Sequence, residues 1–492
     1  MRFIVALTFW VVVFWLTFSQ TMFRQNDGVF GACSNCWGDW SAHTSYMASF
    51  AFGRNFPPSL PILAGEKFSY PFLVDLITAG VVKLGVDWVK AMVAVSLVTA
   101  VGLAGAVIAF GWKLTGKFKI GVVTALVFFL NGGVGEWQNL ISSQVVPQRG
   151  LALGMTMAIC VYWLLWQKKL FWAGVVAGLL PLVHAHSFMA VVLVAGGLGG
   201  WRVIRAKNKT KEISAWLAFA VPALILGGAQ VRYFYAGVLG QNFVRWQPGW
   251  LAGGGLWGWA WFWLKNAGLV LVLATAGWWL APKNLQRFSL VFWGLFFLAN
   301  LVVFQPWDWD NTKMLTHWHL MASVLAAGVI VRFFDHKRWL VKILGVGVLV
   351  ASVWFGSVKV VAIAKGENQY RFWDKNQIEA AAWVKDNTPP RAVFLTASNH
   401  DHWLLPLTGR KIVIGYPGWL WTYGLNYSQR EKEVGEIFGG GQTADSLMDK
   451  YRVDYVVLGP EEKRLDSINQ EYFQTKLTEV YQLEDYQVFA VN

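Results

Sequence analysis

Asp39 and His43 stand four residues apart in the run Trp37-Gly38-Asp39-Trp40-Ser41-Ala42-His43. On a helix that spacing puts a carboxylate and an imidazole on one face. A carboxylate partly desolvated by neighbouring rings accepts a proton from a substrate hydroxyl more readily than one in water. Asp39 is therefore the candidate general base, and His43 is placed to orient an acceptor. The competing use of Asp39 is to cap a helix that begins at Trp40.

Three further groups could handle charge. Gln305-Pro306-Trp307-Asp308-Trp309-Asp310-Asn311-Thr312-Lys313 offers two carboxylates that could bind a divalent cation or orient an acceptor, and an ammonium that could meet a phosphate. Helix capping by Asp310 or Asn311 would use the same residues. Residues 131 to 150 carry Glu136, Gln144, Gln148 and Arg149. The Arg149 guanidinium has two parallel donors suited to a phosphate, although an arginine reaching lipid headgroups needs no substrate. His184 and His186, at the edge of an apolar run, could support a phosphate or a metal, or cap a helix.

The elements that must position these groups are mostly apolar. The chain is 55% hydrophobic and 14% charged, with 31 Trp, a composition that belongs in lipid. Its net charge of +14 is divided unevenly: the first 363 residues hold 28 Lys and Arg against ten carboxylates, and the remainder 14 against 18. Membrane charge bias accounts for this excess better than nucleic-acid binding does, and no nucleic acid is expected.

Apolar runs beginning near residues 3, 91, 118, 150, 170, 187, 212, 260, 288, 316 and 340 predict about 11 spans. Basic clusters follow alternate runs, at 113–119, 168–169, 202–211, 283–287 and 332–342. The positive-inside rule makes these cytoplasmic. The N-terminus is then cytoplasmic, a long first outer loop covers 23–90, and eight of the ten carboxylates fall outside with seven of the eight His. Residues 71 to 87 break the alternation and are expected as a juxtamembrane or re-entrant helix. The first run lacks a small-x-small cleavage site and reads as an uncleaved anchor. Cys33 and Cys36 lie where oxidation is allowed, so a local disulfide is open to them.

Beyond residue 364 the periodicity becomes that of a soluble α/β unit. A helix is expected over 374–386, stopped by Pro389 and Pro390, followed by strand-like runs AVFLT, KIVIG and VDYVVLG and by helices over 428–438 and 443–451. The expected fold class is an α-helical polytopic membrane protein with a C-terminal soluble α/β domain, divided as 1–364 and 365–492, the latter extracytoplasmic.

With a first span, a long outer loop carrying Asp39 soon after it, many further spans and a terminal soluble domain opening near Trp383-Val384-Lys385-Asp386-Asn387-Thr388, the chain resembles the GT-C superfamily of polytopic glycosyltransferases. The resemblance covers the plan from Met1 to about Lys365. It implies inverting transfer of a sugar from a polyprenyl-phosphate carrier to a glycan, lipid or protein acceptor on the outer face, with Asp39 at the position of the family's base. Where family members often carry an acidic pair there, this chain has Asp39-Trp40. Arg149, Lys313, His184 and His186 are the expected phosphate-binding groups, and His43, Asp308 and Asp310 the expected acceptor- or metal-orienting ones. Trp421-Thr422-Tyr423-Gly424 echoes an oligosaccharyltransferase motif but lacks its Asp. A polytopic transporter or lipid flippase, or a membrane scaffold whose outer domain binds a partner, is the alternative. Transporters usually show repeated halves and midplane charges, which the sequence does not.

Overall fold

The computed structural model describes residues 1–33, 36–134, 139–235 and 243–491. Two compact units emerge. One comprises Met1–Gln20, Ser96–Tyr233 and Asn242–Glu367; the other comprises Thr21–Val95, Phe234–Gln241 and Asn368–Asn492. The long loop expected within the membrane part thus groups with the C-terminal residues, because its backbone pairs with theirs.

The first unit is helical. Each of the eleven apolar runs lies in a helix, but among the described residues only six helices are long and apolar enough to cross a membrane, or seven if the bent pair Gly255–Ala267 and Leu269–Leu280 counts as one. The count of about 11 is therefore not reached on length and composition. The runs at Arg2–Phe18, Phe118–Leu130 and Leu170–Leu182 are shorter apolar helices. Hydropathy does not reveal where a run breaks: the Gly255–Leu280 run turns by 97° at Gly268, whose φ of +58° only glycine adopts freely.

Burial separates hub from periphery. The span Asp308–Phe334 is 94% buried over its most apolar window, against 17% for Lys209–Phe234 and 22% for Trp339–Ala364. The outer helices present Leu, Ile, Val and Trp to the surroundings, for example Leu224, Ile225, Trp339 and Leu340, and such a surface is stable only in lipid. The chain is an integral membrane protein. Close approach at the hub depends on small residues, as expected where helices pack without a hydrophobic drive between them. A Cβ on Gly277 would come within 2.2 Å of the Leu325 carbonyl.

The second unit holds two sheets. A five-stranded sheet has the order Lys411–Ile412, Val393–Leu395, Tyr455–Leu458, Tyr486–Ala490, Thr478–Leu483. The first three strands are parallel and the last two join antiparallel. All three strand-like runs appear in it, and helices Lys375–Asn387, Ser428–Gly439 and Gln442–Tyr451 match the expected ones. Asp374 and Gln377 form a capping box at the start of Lys375–Asn387, which fixes that helix locally. The second sheet is antiparallel: Phe23–Gln25 pairs with Gly28–Gly31, which pairs with Tyr370–Asp374. Leu73–Lys83 is a short helix where a re-entrant or juxtamembrane one was expected.

Candidate functional site

In the second unit Asp39 lies in the first turn of helix Cys36–Ala51. The helix begins four residues before Trp40, so Asp39 is inside it and is not its cap. The Cys33–Cys36 disulfide closes the entry to this helix. His43 is one turn further along and buried, with Nδ1 2.8 Å from Asp75 Oδ2. Asp75 comes from helix Leu73–Lys83 and is fully buried. A carboxylate that accepts from Nδ1–H fixes the imidazole's orientation and tautomer.

Phenols surround this carboxylate. Tyr46 and Tyr423 share a hydroxyl contact of 2.7 Å. Burial, with smaller contributions from neighbouring charge, keeps both phenols protonated far above the ordinary range, and Asp39 is near enough to contribute at Tyr423. Tyr370 is likewise raised, first by burial and then by Asp39. Asp39 is half-buried, and its charge acts on the Tyr370 and Tyr423 phenols. Trp37 packs edge-on to His400 at 3.8 Å, and His400 lies 5.6 Å from Tyr416. Trp37 and Tyr416 remain exposed, making an aromatic rim.

The second unit also contains a group with metal-ligand spacing, His402, Glu461 and Glu462. The hydrogen bonds of His402 and Glu462 are already committed, whereas Glu461 accepts from Gln377 at Oε1 and has no hydrogen-bond partner at Oε2 among the described residues. Glu462 is fully buried and accepts from Ala397 N–H (2.7 Å), Gly459 N–H (2.8 Å) and His402 Nε2–H (2.9 Å), while Leu404 N–H donates to His402 Nδ1 (3.3 Å). Both imidazole nitrogens and both oxygens of Glu462 are in use, so the cluster is a tie between strands and loops.

The first unit gathers the basic and imidazole groups. Arg149 opens helix Arg149–Trp166 and is buried, with Nε donating to Ser96 Oγ at 2.9 Å. Its burial excludes the headgroup-reaching alternative. A π-helical turn, Ile141–Val145, brings Gln144 to accept from Thr316 at 2.8 Å; such turns are common at functional sites. Glu136 lies outside the described residues. Lys313 pairs with Asp310 at 3.0 Å, and Asp308 pairs with Arg245 and accepts from Gln247. Asp308 and Asp310 thus have different basic partners and belong to no three-ligand group among the described residues. Neither Asp310 nor Asn311 acts as a side-chain cap: Asn311 instead donates to Ala299 and Val302 carbonyls and accepts from Phe304 N–H. His184 does cap its helix, Ala185–Arg205, by accepting from Ser187 N–H.

His184 and His186 have ring centroids 5.2 Å apart. His186 bonds Gln305, and the Lys313 charge acts on both rings. Tyr162, Ser187 and His317 join this group through hydrogen bonds. Sequence reasoning missed Asp75, Tyr162, Ser187 and Tyr423, polar residues inside or beside apolar runs. Close packing holds His184 in place: a Cβ at Gly154 would lie 2.4 Å from the His184 Cβ. Gly154→Ala is expected to cost about 1–3 kcal/mol by overpacking, read as a lowered unfolding temperature in detergent; an unchanged temperature would contradict the packing.

By sequence, no family model matches the chain and no curated protein does. By structure, the chain has the GT-C fold, as the resemblance implied. The archaeal oligosaccharyltransferase AglB from Archaeoglobus fulgidus is similar in its apo form with a TM-score of 0.57 at 10% identity, covering 92% of this chain and 69% of that one. In a complex with an inhibitory peptide and a dolichol-phosphate, AglB matches with a TM-score of 0.57 at 11% identity, covering 93% and 69%. Apo ArnT from Cupriavidus metallidurans matches with a TM-score of 0.52 at 12% identity, covering 99% of this chain and 97% of that one.

Proposed function

We infer that the protein is a membrane glycosyltransferase that moves a sugar from a polyprenyl-phosphate carrier to an acceptor on the extracytoplasmic face. The observation that carries this reading is the half-buried Asp39, near enough to act on the Tyr370 and Tyr423 phenols, in a chain of GT-C fold. Asp39 takes the proton from the acceptor hydroxyl as its oxygen attacks the anomeric carbon. The bond from that carbon to the phosphate oxygen breaks with inversion, and its electron pair leaves on the polyprenyl phosphate. Within the first unit, Lys313, Arg149 and His184 are the groups suited to a lipid-linked phosphate, and preorganised charge of that kind is often the largest contribution to catalysis. For Lys313 this means exchanging Asp310 for the substrate. His43, fixed by Asp75, orients the acceptor, and the rim of Trp37 and Tyr416 offers aromatic faces to it.

An apolar cavity of about 380 Å³ supports a lipid-borne donor. It is lined by Phe188, Val192, Gly196, Gly199, Ile213 and Leu217, among others, and lies between helices Ala185–Arg205 and Lys209–Phe234. Phe188 follows Ser187 directly, so the cavity begins beside the imidazole group. AglB binding a dolichol-phosphate is the corresponding property of a fold neighbour. The transporter reading would use the same helices without bond cleavage.

The basic clusters assign the N-terminus to the cytoplasm and the soluble domain outside. With Cys160, the free thiol, replaced by Ser, single cysteines introduced near residues 40, 310 and 400 are expected to react with an impermeant maleimide in intact cells. Labelling of any of them only after permeabilisation would contradict that orientation. Transfer of labelled sugar from a polyprenyl-phosphate donor tests the activity itself.

A further inference from the structure

Four side chains of the first unit form a hydrogen-bond chain whose direction can be worked out from one contact. Ser187 backbone N–H lies 3.2 Å from His184 Nδ1. A backbone N–H can only donate, so Nδ1 carries a lone pair and the ring proton sits on Nε2. Ser187 Oγ is 2.8 Å from the same Nδ1, so its hydroxyl also donates there. With its proton committed, that oxygen can only accept from His317 Nε2, 3.3 Å away. Nε2 of His317 is therefore protonated.

His317 Nδ1 lies 2.8 Å from the Tyr162 hydroxyl. His317 and Tyr162 are both fully buried. An imidazolium there would have only an alcohol and a phenol as partners, an uncompensated buried charge. The ring is neutral, Nδ1 accepts, and Tyr162 donates. The order runs Tyr162 O–H to His317 Nδ1, His317 Nε2–H to Ser187 Oγ, and Ser187 O–H to His184 Nδ1.

The far end of this chain is the Nε2–H of His184. His186 lies beside this ring, the two centroids 5.2 Å apart, and the charge of Lys313 acts on both rings, that of its partner Asp310 on His186. Gln305, which holds His186, has a buried Nε2 without a hydrogen-bond partner among the described residues. A neutral N–H donor, an unused amide donor and an ammonium are what an anion of high charge density would require.

We propose that Tyr162, His317 and Ser187 are positioning residues that hold His184 as a neutral Nε2–H donor to the phosphate of a lipid-linked substrate. The proposal rests on the lipid-phosphate reading above for its ligand, but its tautomer does not. Fixing the tautomer matters because a ring free to place its proton on Nδ1 would turn a lone pair toward the anion, repelling it. His184 cannot take a proton at Nδ1 without losing the Ser187 backbone N–H contact and reversing the hydroxyl one. His186 is held differently: its Nε2–H donates to Gln305 Oε1.

The test is nitrogen NMR of the full-length protein in bilayers with ¹⁵N-labelled histidine, each signal assigned by single His→Gln substitution. In the wild type at neutral pH, His184 and His317 are expected with Nε2 protonated and Nδ1 not. Ser187→Ala should release His317 into a mixture of tautomers while His184, still held by the residue 187 backbone N–H, stays as it was. Tyr162→Phe should likewise release His317. Addition of a synthetic polyprenyl monophosphate should shift the His184 Nε2 signal, and inorganic phosphate should do so more weakly. A charged or Nδ1-protonated His184, or a His317 unmoved by either substitution, overturns the chain. The stated tautomers with no response to polyprenyl monophosphate, in a protein that still transfers sugar from it, overturn the anion contact and leave the proposed function standing.

Discussion

Asp39→Asn is expected to lower sugar transfer from a polyprenyl-phosphate donor by about 10²–10⁴-fold, the range supplied by a positioned general base. The amide keeps the size of the carboxylate and loses its capacity to take a proton. Donor binding, followed by quenching of tryptophan fluorescence on adding polyprenyl phosphate, should be retained, because the proposed phosphate contacts are made by other residues. Asp75→Asn should produce a smaller loss, since it disturbs only the orientation of His43. Equal rates for Asp39→Asn and wild type would remove Asp39 from the mechanism.

Glu462→Ala is expected to cost about 3–5 kcal/mol, the usual consequence of leaving a buried partner uncompensated. Three donors converge on this carboxylate, two from backbone segments that flank strands Val393–Leu395 and Tyr455–Leu458. Their loss should open the middle of the five-stranded sheet. Hydrogen exchange in the full chain would show it as faster exchange in peptides covering 393–397 and 455–462. Burial alone would raise the Glu462 carboxyl, but His402 and the two backbone N–H groups hold it below the ordinary range. A carboxyl lowered in the folded state contributes stability that is present above its unfolded value of about 4.3 and is lost as pH falls through the folded value. The same peptides in the wild type should therefore lose protection on acidification, and Glu462→Ala should lose that dependence. Unchanged exchange in the variant at neutral pH would contradict the role.

Local chemistry was legible and distant pairing was not. Helix Lys375–Asn387 was readable because its capping box and the following prolines are adjacent in sequence. The parallel strands were readable as short apolar runs. Strand Tyr370–Asp374 was missed because its partner, Gly28–Gly31, lies some 340 residues away, and Thr478–Leu483 because most of it is exposed and carries no apolar run. At the site, the spacing of Asp39 and His43 was sufficient to nominate both. Asp75 appeared only as one acid in an apolar segment, and its pairing with His43 is a product of tertiary packing. The chain from Tyr162 to His184 has the same character: Tyr162 and His317 are 155 residues apart, and within an apolar helix each reads as an isolated polar residue. The count of about 11 spans is not confirmed, because mean hydropathy records lipid compatibility and not helix length: the runs at Arg2–Phe18, Phe118–Leu130 and Leu170–Leu182 form apolar helices that are short for a span.

The central claim is bond cleavage at a lipid-linked phosphate, and it is tested most directly with purified protein in liposomes. A panel of polyprenyl-phosphate sugars, labelled in both the sugar and the lipid, would be supplied with glycan, lipid and peptide acceptors. For one donor, free polyprenyl phosphate is expected to appear in step with labelled acceptor, and Asp39→Asn to suppress both. Movement of intact donor between leaflets, with no polyprenyl phosphate released from any member of the panel, would contradict it.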